Sequence, residues 1–586
     1  MSALGPPSAQ AGPWLMEAFL LATSAMRLAL GYSPHRQQLL AARVLLDDRL
    51  AEMATGEGKT AAIALAAAVA ALGRTPVHVV TANDYLAQRD AQQLRAFFGL
   101  LQLRVDCVTQ PMDAAARRRA YGRHVTYCTA KELAFDYLRD GLARTGDQSA
   151  LEQRARRAGA GPGVLTQAPV LRGLCMAIID EADTVLIDEA RVPLVLAQDD
   201  AVAGEGEFYQ AALALARRLA PQQDYQGDAD GKRFVLTAAG RARLSQWPVA
   251  AHPLLGHRSH REATVELALA ALLALQRDHD YVVRAEGVLL IDETTGRAAV
   301  GRAWSRGLHQ LVELKEGVAA TRRNSTVNQI TFQRFFPRYL RLAGASGTLA
   351  EAAGEFRQVY RLGVVRIPPR TAPRVTRSPA RLYGDSAGLW QAVADEAATV
   401  AATGRPVLIG TGTVAQSQAL SQVLQGRGLP HQVLNARQDQ GESELIGQAG
   451  RAGAITVATS MAGRGTDIVL EPSVVDRGGL HVILCQLNAS ARIDRQFLGR
   501  AGRQGQPGST AVMIAADFPL LQQWCPRYWM ETLLRFGGPP VLLGATVRLV
   551  QTAESLTQKK QRVTLCHVAE AEHRELTFSR QMHHEK

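Results

Sequence analysis

The most informative segment of this 586-residue chain is Met53-Ala54-Thr55-Gly56-Glu57-Gly58-Lys59-Thr60. In a phosphate-binding loop, glycines let backbone N–H groups approach phosphate oxygens, a lysine contacts the β- and γ-phosphates, and a threonine hydroxyl reaches Mg²⁺. Gly56, Gly58, Lys59 and Thr60 supply these parts in the required order. We therefore predict that the loop Met53 to Thr60 binds a nucleoside triphosphate, although Met53 stands where the general pattern has glycine.

An acidic pair lies downstream of this loop. Asp180 and Glu181 directly follow the apolar run Cys175 to Ile179, which is typical of a buried strand. Both carboxylates are then expected at the carboxyl end of a parallel strand, the edge where open α/β sheets bind ligands. We expect Asp180 to hold Mg²⁺ through water and Glu181 to orient and deprotonate the attacking water. Acidic pairs are usually solvated, and only the preceding strand and loop favour the functional interpretation.

A second set of residues that could bind phosphate lies about 400 residues further on, in Met461 to Asp467 and Gly499 to Gly505. Arg500 and Arg503 are three apart and would lie on one face if this segment is helical. Among glycines, they indicate an arginine finger rather than a surface ion pair. Three further nucleotide contacts are expected from position: Arg464, Asp467 and Gln38. A site divided in this way closes only when two domains meet, which indicates a motor.

Composition narrows the class of protein. The net charge of +12 and pI near 9.6 favour an anionic partner such as nucleic acid or acidic lipid, but the excess is diffuse. The six cysteines form no CxxC pair, which argues against a zinc or redox site and suits a reducing cytosol. The longest apolar run, Ala61 to Leu72, is shorter than the roughly 20 residues of a membrane span, and we expect no secretory signal.

Alternation of strand and helix patterns predicts two parallel-sheet α/β motor domains. A hairpin at Tyr281 to Ile291 marks a separate α+β domain inserted into the first. The helical pattern from Trp14 to Leu30 fits a helix packed on the domain or a peripheral membrane helix. The predicted boundaries are 1–195 with 342–372 for the first motor domain, 196–341 for the insertion, 373–525 for the second motor domain and 526–586 for a short helical C-terminal segment.

These residues together resemble the SecA family of preprotein translocase ATPases. The similar segments run in chain order: AEMATGEGKT (51–60), HVVTANDYLAQRD (78–90), IIDEADTVLIDEARVPL (178–194), DYVVRAEGVLLIDETTGRAAVGRAWSRGLHQLVELKEG (280–317), ITFQRFFPRYLRLAGASGT (330–348), ATSMAGRGTDIVL (458–470) and RIDRQFLGRAGRQGQPGS (492–509). Helicase motifs occur widely, but 280–317 does not. It is similar to the preprotein cross-linking domain of that family.

The resemblance implies two RecA-like domains with ATP and Mg²⁺ between them. No zinc is expected, because the ligands of the zinc tail that the family often has are absent. It implies roles for Gln38 at adenine, for the loop residues and Asp180 at phosphate and metal, and for Glu181 at water. Sensing and catalysis from the second domain are implied for Arg464, Asp467, Arg500, Arg503 and Gln504. The implied partners are unfolded preproteins and a SecYEG-type channel at the cytoplasmic face of the inner membrane. Binding to acidic phospholipid and assembly into a homo-oligomer are left open, and nucleic acid is not expected as a partner.

The chain also departs from the family pattern. DEAD replaces the usual DEVD at 180–183, His35 lies where an aromatic residue is expected near adenine, and Leu484 to Ser490 replaces a charged run. The resemblance indicates a C-terminally shortened, accessory member without the two-helix finger and zinc tail, in which Gln558 to Arg580 is the start of the scaffold helix. Three hypotheses remain: a preprotein motor, a nucleotide-gated polypeptide-binding factor without transport, and a nucleic-acid helicase.

Overall fold

The computed structural model describes residues 11–144, 169–200, 205–228, 234–246, 258–278, 280–284, 287–291, 298–299, 304, 307–321, 323–434, 446–459, 468–536 and 539–584. The chain forms two compact units, the first drawn from Met1–Leu196, Asn328–Asn435 and Gln440–Lys586, and the second centred on Ala197–Val327. The predicted insertion Leu151 to Pro169 and the stretch Met461 to Asp467 lie outside the described residues, apart from Pro169 itself.

The strands are numbered in chain order as follows: β1 Leu50–Glu52, β2 Val77–Thr81, β3 Val105–Cys107, β4 Val125–Thr129, β5 Met176–Asp180, β6 Leu194–Asp200, β7 Tyr225–Gly227, β8 Phe234–Leu236, β9 Tyr281–Arg284, β10 Gly287–Ile291, β11 Ala298–Ala299, β12 Arg323–Ile330, β13 Arg341–Ser346, β14 Val364–Arg366, β15 Arg374–Arg377, β16 Arg381–Tyr383, β17 Val407–Thr411, β18 Gln432–Leu434, β19 Ile455–Thr459, β20 Leu480–Leu484 and β21 Pro507–Ala515.

The first unit contains two seven-stranded parallel sheets. One has the order β14-β1-β13-β5-β2-β4-β3, and the other has the order β15-β21-β20-β17-β19-β18 with β16 also on β21. Strands such as Val77–Thr81 and Ile455–Thr459 are buried at every position, because helices cover both faces of a parallel sheet. These sheets confirm the prediction of two RecA-like motor domains.

Helices pack on these sheets. In the first unit they include Ala11–Leu30, Arg36–Leu45, Lys59–Leu72, Asp84–Gln93, Arg95–Leu100, Ala114–Tyr121, Ala130–Arg144, Phe332–Phe335, Ala353–Glu355, Ser386–Ala402, Val414–Gly426, Pro472–Asp476, Ala491–Leu498, Pro519–Trp524, Arg527–Arg535 and the 45-residue helix Pro540–His584.

The apolar run at Lys59–Leu72 is a core helix. Its residues from Ala61 to Ala71 are all buried, because the sheet lies on one side and Ala11–Leu30 and Arg36–Leu45 lie on the other. A helix that is apolar all round is stable in such a position. Ala11–Leu30 buries Ala18, Ala22 and Met26, as expected of a helix packed on the domain. None of the helices in the ranges given above is both long and apolar enough to cross a bilayer.

The second unit combines helices and antiparallel strands. The helices are Glu205–Ala216, Ala238–Gln246, Arg258–Leu273 and Leu308–Lys315, and the sheets are β7-β8 and β11-β10-β9. The hairpin predicted around Tyr281 to Ile291 is confirmed as β9-β10, and Tyr281 is fully buried in the core of this unit. The α+β character predicted for the insertion is therefore present. Residues 328–341, which the sequence assigned to the insertion, are grouped with the first unit.

Candidate nucleotide site

The phosphate loop connects β1 to the helix Lys59–Leu72. Gly56 and Gly58 have φ of +85° and +82°, a region that residues with a Cβ rarely adopt. A side chain at position 58 is also excluded sterically, because a Cβ on Gly58 would lie 2.2 Å from Nε2 of Gln38. Gly58 caps the helix, so Lys59 and Thr60 begin it with unpaired backbone N–H groups directed at the loop. Such a helix start favours anionic phosphate.

The acidic pair follows β5, at the carboxyl edge of the first sheet, as expected. Glu181 has φ of +49°, a strained conformation for a residue with a side chain that costs on the order of 1–3 kcal/mol. Its Oε1 contacts Nζ of Lys59, and its Oε2 accepts a hydrogen bond from Oγ of Ser346 at 3.1 Å. These contacts hold the carboxylate against the loop. Asp180 accepts the backbone N–H of Glu181 at 3.0 Å.

Burial and mutual repulsion perturb these charges. Burial, followed by the charge of Glu181, raises the pKa of Asp180 to about 7. For Lys59, burial alone would lower the pKa, but Glu181, Asp180 and Asp183 outweigh it and raise the pKa above its ordinary value. Three carboxyl groups thus act on one ammonium group. A site with this excess of negative charge suits a further cation.

The second sheet supplies the opposite wall through the helix Ala491–Leu498. Gln496 donates its Nε2–H to Oε2 of Glu181 at 2.9 Å, and Oγ of Thr55 donates to the carbonyl oxygen of Gly499 at 2.6 Å. Both hydrogen bonds join residues more than 300 positions apart. The phosphate loop and Glu181 of the first domain are therefore in direct contact with the second domain.

A buried ion cluster reinforces the same contact. A π-helical turn at Thr184–Asp188 has a five-residue repeat, which brings Asp183 and Asp188 to one side. Arg492 donates from Nη1 to Asp183 at 2.7 Å and from Nη2 to Asp188. Asp183 also accepts from Oγ1 of Thr348 at 2.6 Å. These carboxylates, Asp188 first, overcome the effect of burial and raise the pKa of Arg492.

Arg500 and Arg503 do not share a helix face. The helix ends at Leu498, and Gly502 has φ of +70°, so the two side chains diverge. Arg503 lies at the phosphate loop, because a Cβ on Gly56 would be 2.8 Å from its Cβ. Arg500 is buried and its guanidinium lies 5.6 Å from the centre of the Phe497 ring. Gln504 is exposed with φ of +56°.

The remaining predicted residues surround the loop. Gln38 is buried, donates to the carbonyl oxygen of Glu57 at 3.1 Å and accepts from the backbone of His35 at 2.9 Å. Met53 is buried below the loop and pairs its N–H with the carbonyl of Ser346 at 2.9 Å. Two predicted site residues lie outside the described residues: Arg464 and Asp467. Ala54 and Thr60 are exposed beside the loop.

Mg²⁺ fits the donor set. In nucleotide sites this ion takes one or two protein oxygens and completes its shell with phosphate and water. Asp180, with its raised pKa, and the exposed hydroxyl residue Thr60 supply such oxygens. The described part of the chain has no group of three or more His, Cys, Asp or Glu placed to hold a metal without a substrate.

Comparison with known proteins agrees with this architecture. Residues 8–357 match the family model described as the SecA DEAD-like domain. Residues 376–474 and 471–539 match the model of the SecA P-loop domain. The chain belongs to the SecA family.

The SecA-family relatives differ in how far the chain covers them. A protein translocase subunit SecA 2 of Bordetella avium is 43% identical over 93% of this chain and 82% of its own length. A protein translocase subunit SecA 2 of Nitrosospira multiformis is 44% identical over 92% of this chain and 80% of its own length. A protein translocase subunit SecA of Clostridium beijerinckii is 38% identical over 87% of this chain and 57% of its own length.

Sequence reasoning did not assign roles to Gln496, Arg492, Ser346, Thr348 or Asp183. All five lie inside the segments that carried the resemblance to SecA. The spacing of Arg492 and Gln496 was an available signal, since residues four apart share a helix face. Their partners could not be read from the sequence, because they are 304 to 315 positions away.

Proposed function

We propose that this SecA-family chain is an ATPase that couples hydrolysis at the cleft between its two parallel sheets to binding and movement of unfolded preproteins at a SecYEG-type channel. The observation that carries the proposal is the hydrogen bond from Gln496 to Glu181, which joins the water-activating carboxylate to the second motor domain. Names of relatives as protein translocase subunits support the transport part. Such a protein works on the cytoplasmic side, peripherally at the inner membrane.

Each wall of the cleft has its own task in hydrolysis. Lys59 binds the terminal phosphates, and the glycine-lined loop turns its N–H groups toward them. Asp180 and Thr60 would hold Mg²⁺, which would supply positive charge beside the phosphates. Glu181 orients and deprotonates the attacking water. Arg503, beside Gly56, is the arginine best placed to offset charge on the γ-phosphate, while Arg500 packs on Phe497.

The Gln496 contact provides a coupling step. With the cleft closed, Gln496 and Ser346 both donate to Oε2 of Glu181 and fix its direction. If the second domain moves away, Glu181 loses one of these donors. Hydrolysis is then tied to closure, and a preprotein that alters closure alters the hydrolysis rate.

Reconstitution tests this function. Purified chain, SecYEG proteoliposomes and an unfolded preprotein are combined with MgATP, and protected preprotein is measured beside phosphate release. The proposal expects both activities, with loss of both in Lys59→Ala and retention of both in Lys131→Ala, a half-exposed lysine paired with Glu189.

The alternatives appear as distinct outcomes of the same assay. Hydrolysis without protected preprotein, together with nucleotide-dependent preprotein binding, would identify a polypeptide-binding factor that transports nothing. Salt-sensitive hydrolysis stimulated by RNA and not by preprotein would identify a helicase. Either result would replace the proposed function.

A further inference from the structure

The long helix Pro540–His584 has one face packed on the motor and another face exposed. Leu543, Thr546, Val550, Gln551 and Arg562 are buried. Gln551 donates to Asp494 at 2.6 Å, and Arg562 makes a bidentate pair with Glu355, both bonds 2.8 Å. These contacts fix the rotation of the helix about its axis. What the opposite face presents is therefore determined by the fold.

That opposite face carries aliphatic side chains seven residues apart, which we name the heptad stripe: Leu542, Leu549, Leu556 and Val563. Their exposed fractions are 47%, 72%, 56% and 40%. Ala545 and Thr552, three residues after the first two members, are small and exposed, so a partner could approach the backbone closely. The stripe fills one of the two seam positions of a coiled-coil heptad with aliphatic side chains, and the second position holds Ala545, Thr552 and Lys559.

Charge beside the heptad stripe has one sign. Arg548 and Lys560 are exposed and Lys559 is half-buried, and helical spacing places Lys560 one turn beyond Leu556. Between Pro540 and Val568 the sequence has one acidic residue, Glu554. It accepts hydrogen bonds from Nε1 of Trp524 at 3.1 Å and Nε2 of Gln558 at 2.8 Å, away from the stripe.

We infer that the heptad stripe docks an acidic amphipathic helix of a partner protein. A leucine seam on the partner would cover the stripe, and its glutamates or aspartates would face Arg548, Lys559 and Lys560. A second copy of the same helix would oppose basic residues with basic residues, which is unfavourable. A lipid surface suits a broad apolar face better than a seam one residue wide.

The test uses the full chain and a synthetic helical peptide of about four heptads. The peptide has leucine at the seam and glutamate on both flanks, and a matched peptide has lysine in place of each glutamate. Fluorescence anisotropy measures both affinities. We expect the glutamate peptide to bind at least about tenfold tighter than the lysine peptide. Equal binding of the two peptides, or no binding, would overturn the inference.

Variants locate the binding. The double variant Leu549→Ser with Leu556→Ser should bind the glutamate peptide at least about tenfold more weakly than the parent, because two apolar contacts with the peptide are lost. Leu340→Ser, a leucine that is 72% exposed elsewhere, should leave the affinity unchanged. Arg548→Glu with Lys560→Glu should reverse the peptide preference, and this result does not depend on how the leucine variant folds. An unchanged affinity in the leucine variant that keeps its circular dichroism would contradict the assignment.

Two controls separate other occupants. The first control mixes the chain with vesicles of one part phosphatidylglycerol to two parts phosphatidylcholine. Any binding to these vesicles should be the same for the parent and for the leucine variant. The second control measures oligomeric state by sedimentation equilibrium. The parent and the leucine variant should have the same oligomeric state. A positive result in either control would identify lipid or a second copy as the occupant and would overturn the inference.

Discussion

Lys59 and Glu181 form an ion pair across the phosphate site, with Nζ of the loop lysine in contact with Oε1 of the carboxylate that follows β5. Both side chains are about nine-tenths buried, so the pair is little screened by solvent. We propose that an incoming γ-phosphate competes with Glu181 for the ammonium group. In this proposal nucleotide binding frees the carboxylate to act on water, and until then the ion pair holds both groups in place.

Replacing Lys59 tests the phosphate-binding side of this pair. Lys59→Ala removes a charge-assisted contact to phosphate and should weaken binding of a fluorescent ATP analogue by roughly tenfold to a hundredfold. Lys131→Ala removes a half-exposed lysine of the same domain and should bind as the parent does. Unchanged affinity in Lys59→Ala would mean that the loop does not hold the terminal phosphates.

Replacing Glu181 tests the hydrolytic side. Glu181→Gln keeps the shape and can still accept from Ser346 and Gln496, but it cannot take a proton from water. The expected result is nucleotide binding near the parental level and a fall in kcat of roughly 10²- to 10⁴-fold. Single-turnover phosphate release measures the step directly, with Glu189→Gln as the control. A Glu181→Gln chain that hydrolyses ATP at the parental rate would exclude this base.

The sequence predicted the sheets well because their strands are buried runs with clear ends. The apolar run Cys175 to Ile179, for example, forms β5 at Met176–Asp180 in the first parallel sheet, one residue from the predicted bounds. The position of Glu181 followed from the same logic, since a carboxylate directly after a buried strand must lie at the sheet edge. Motif and periodicity were sufficient there.

Prediction from the sequence failed where backbone conformation is set by distant packing. Arg500 and Arg503 would have shared a face only on a helix, but the helix ends at Leu498 and Gly502 then turns the chain. The π-helical turn at Thr184–Asp188 has no periodic signal in the sequence, although it brings Asp183 and Asp188 to one side, where Arg492 bonds both. Long-range partners of this kind cannot be deduced from local pattern.

Arg492 offers a stability test of the contact between the two motor domains. Arg492→Ala leaves Asp183 and Asp188 buried without their cation and should lower the free energy of unfolding by about 3–5 kcal/mol. Arg495→Ala, one turn further on the same helix, removes a half-exposed pair with Glu351 and should cost less than about 1 kcal/mol. Urea unfolding followed by circular dichroism measures both. Similar losses in the two variants would show that the buried cluster does not join the domains.

A pH dependence follows from Asp494, which anchors the long helix. It accepts from Nδ2 of Asn488 and Nε2 of Gln551, each at 2.6 Å, but burial outweighs these donors and raises its pKa to about 7. The unfolded chain releases this proton near its ordinary pKa of 3.8. Between about pH 4 and 7 the folded state holds the extra proton, so this group lowers the free energy of unfolding as pH rises, by at most about 1.4 kcal/mol per pH unit.

Asp494→Asn isolates that contribution. Asn keeps an oxygen that accepts from Asn488, and the amide of Gln551 can rotate to accept from the new Nδ2–H at the cost of its bond to the carbonyl oxygen of Asn488. That cost is the same at every pH, whereas the titration is removed. His78, whose pKa burial lowers to about 4, gives a slope of opposite sign below pH 6.5, but it is common to both proteins and cancels in the difference. Urea unfolding at pH 5, 6, 7 and 8 should then find the variant gaining stability relative to the parent up to pH 7 and no further. A difference that is independent of pH would mean that Asp494 is ionised in the folded protein throughout, and that the helix is anchored by a charge instead of a neutral carboxyl group.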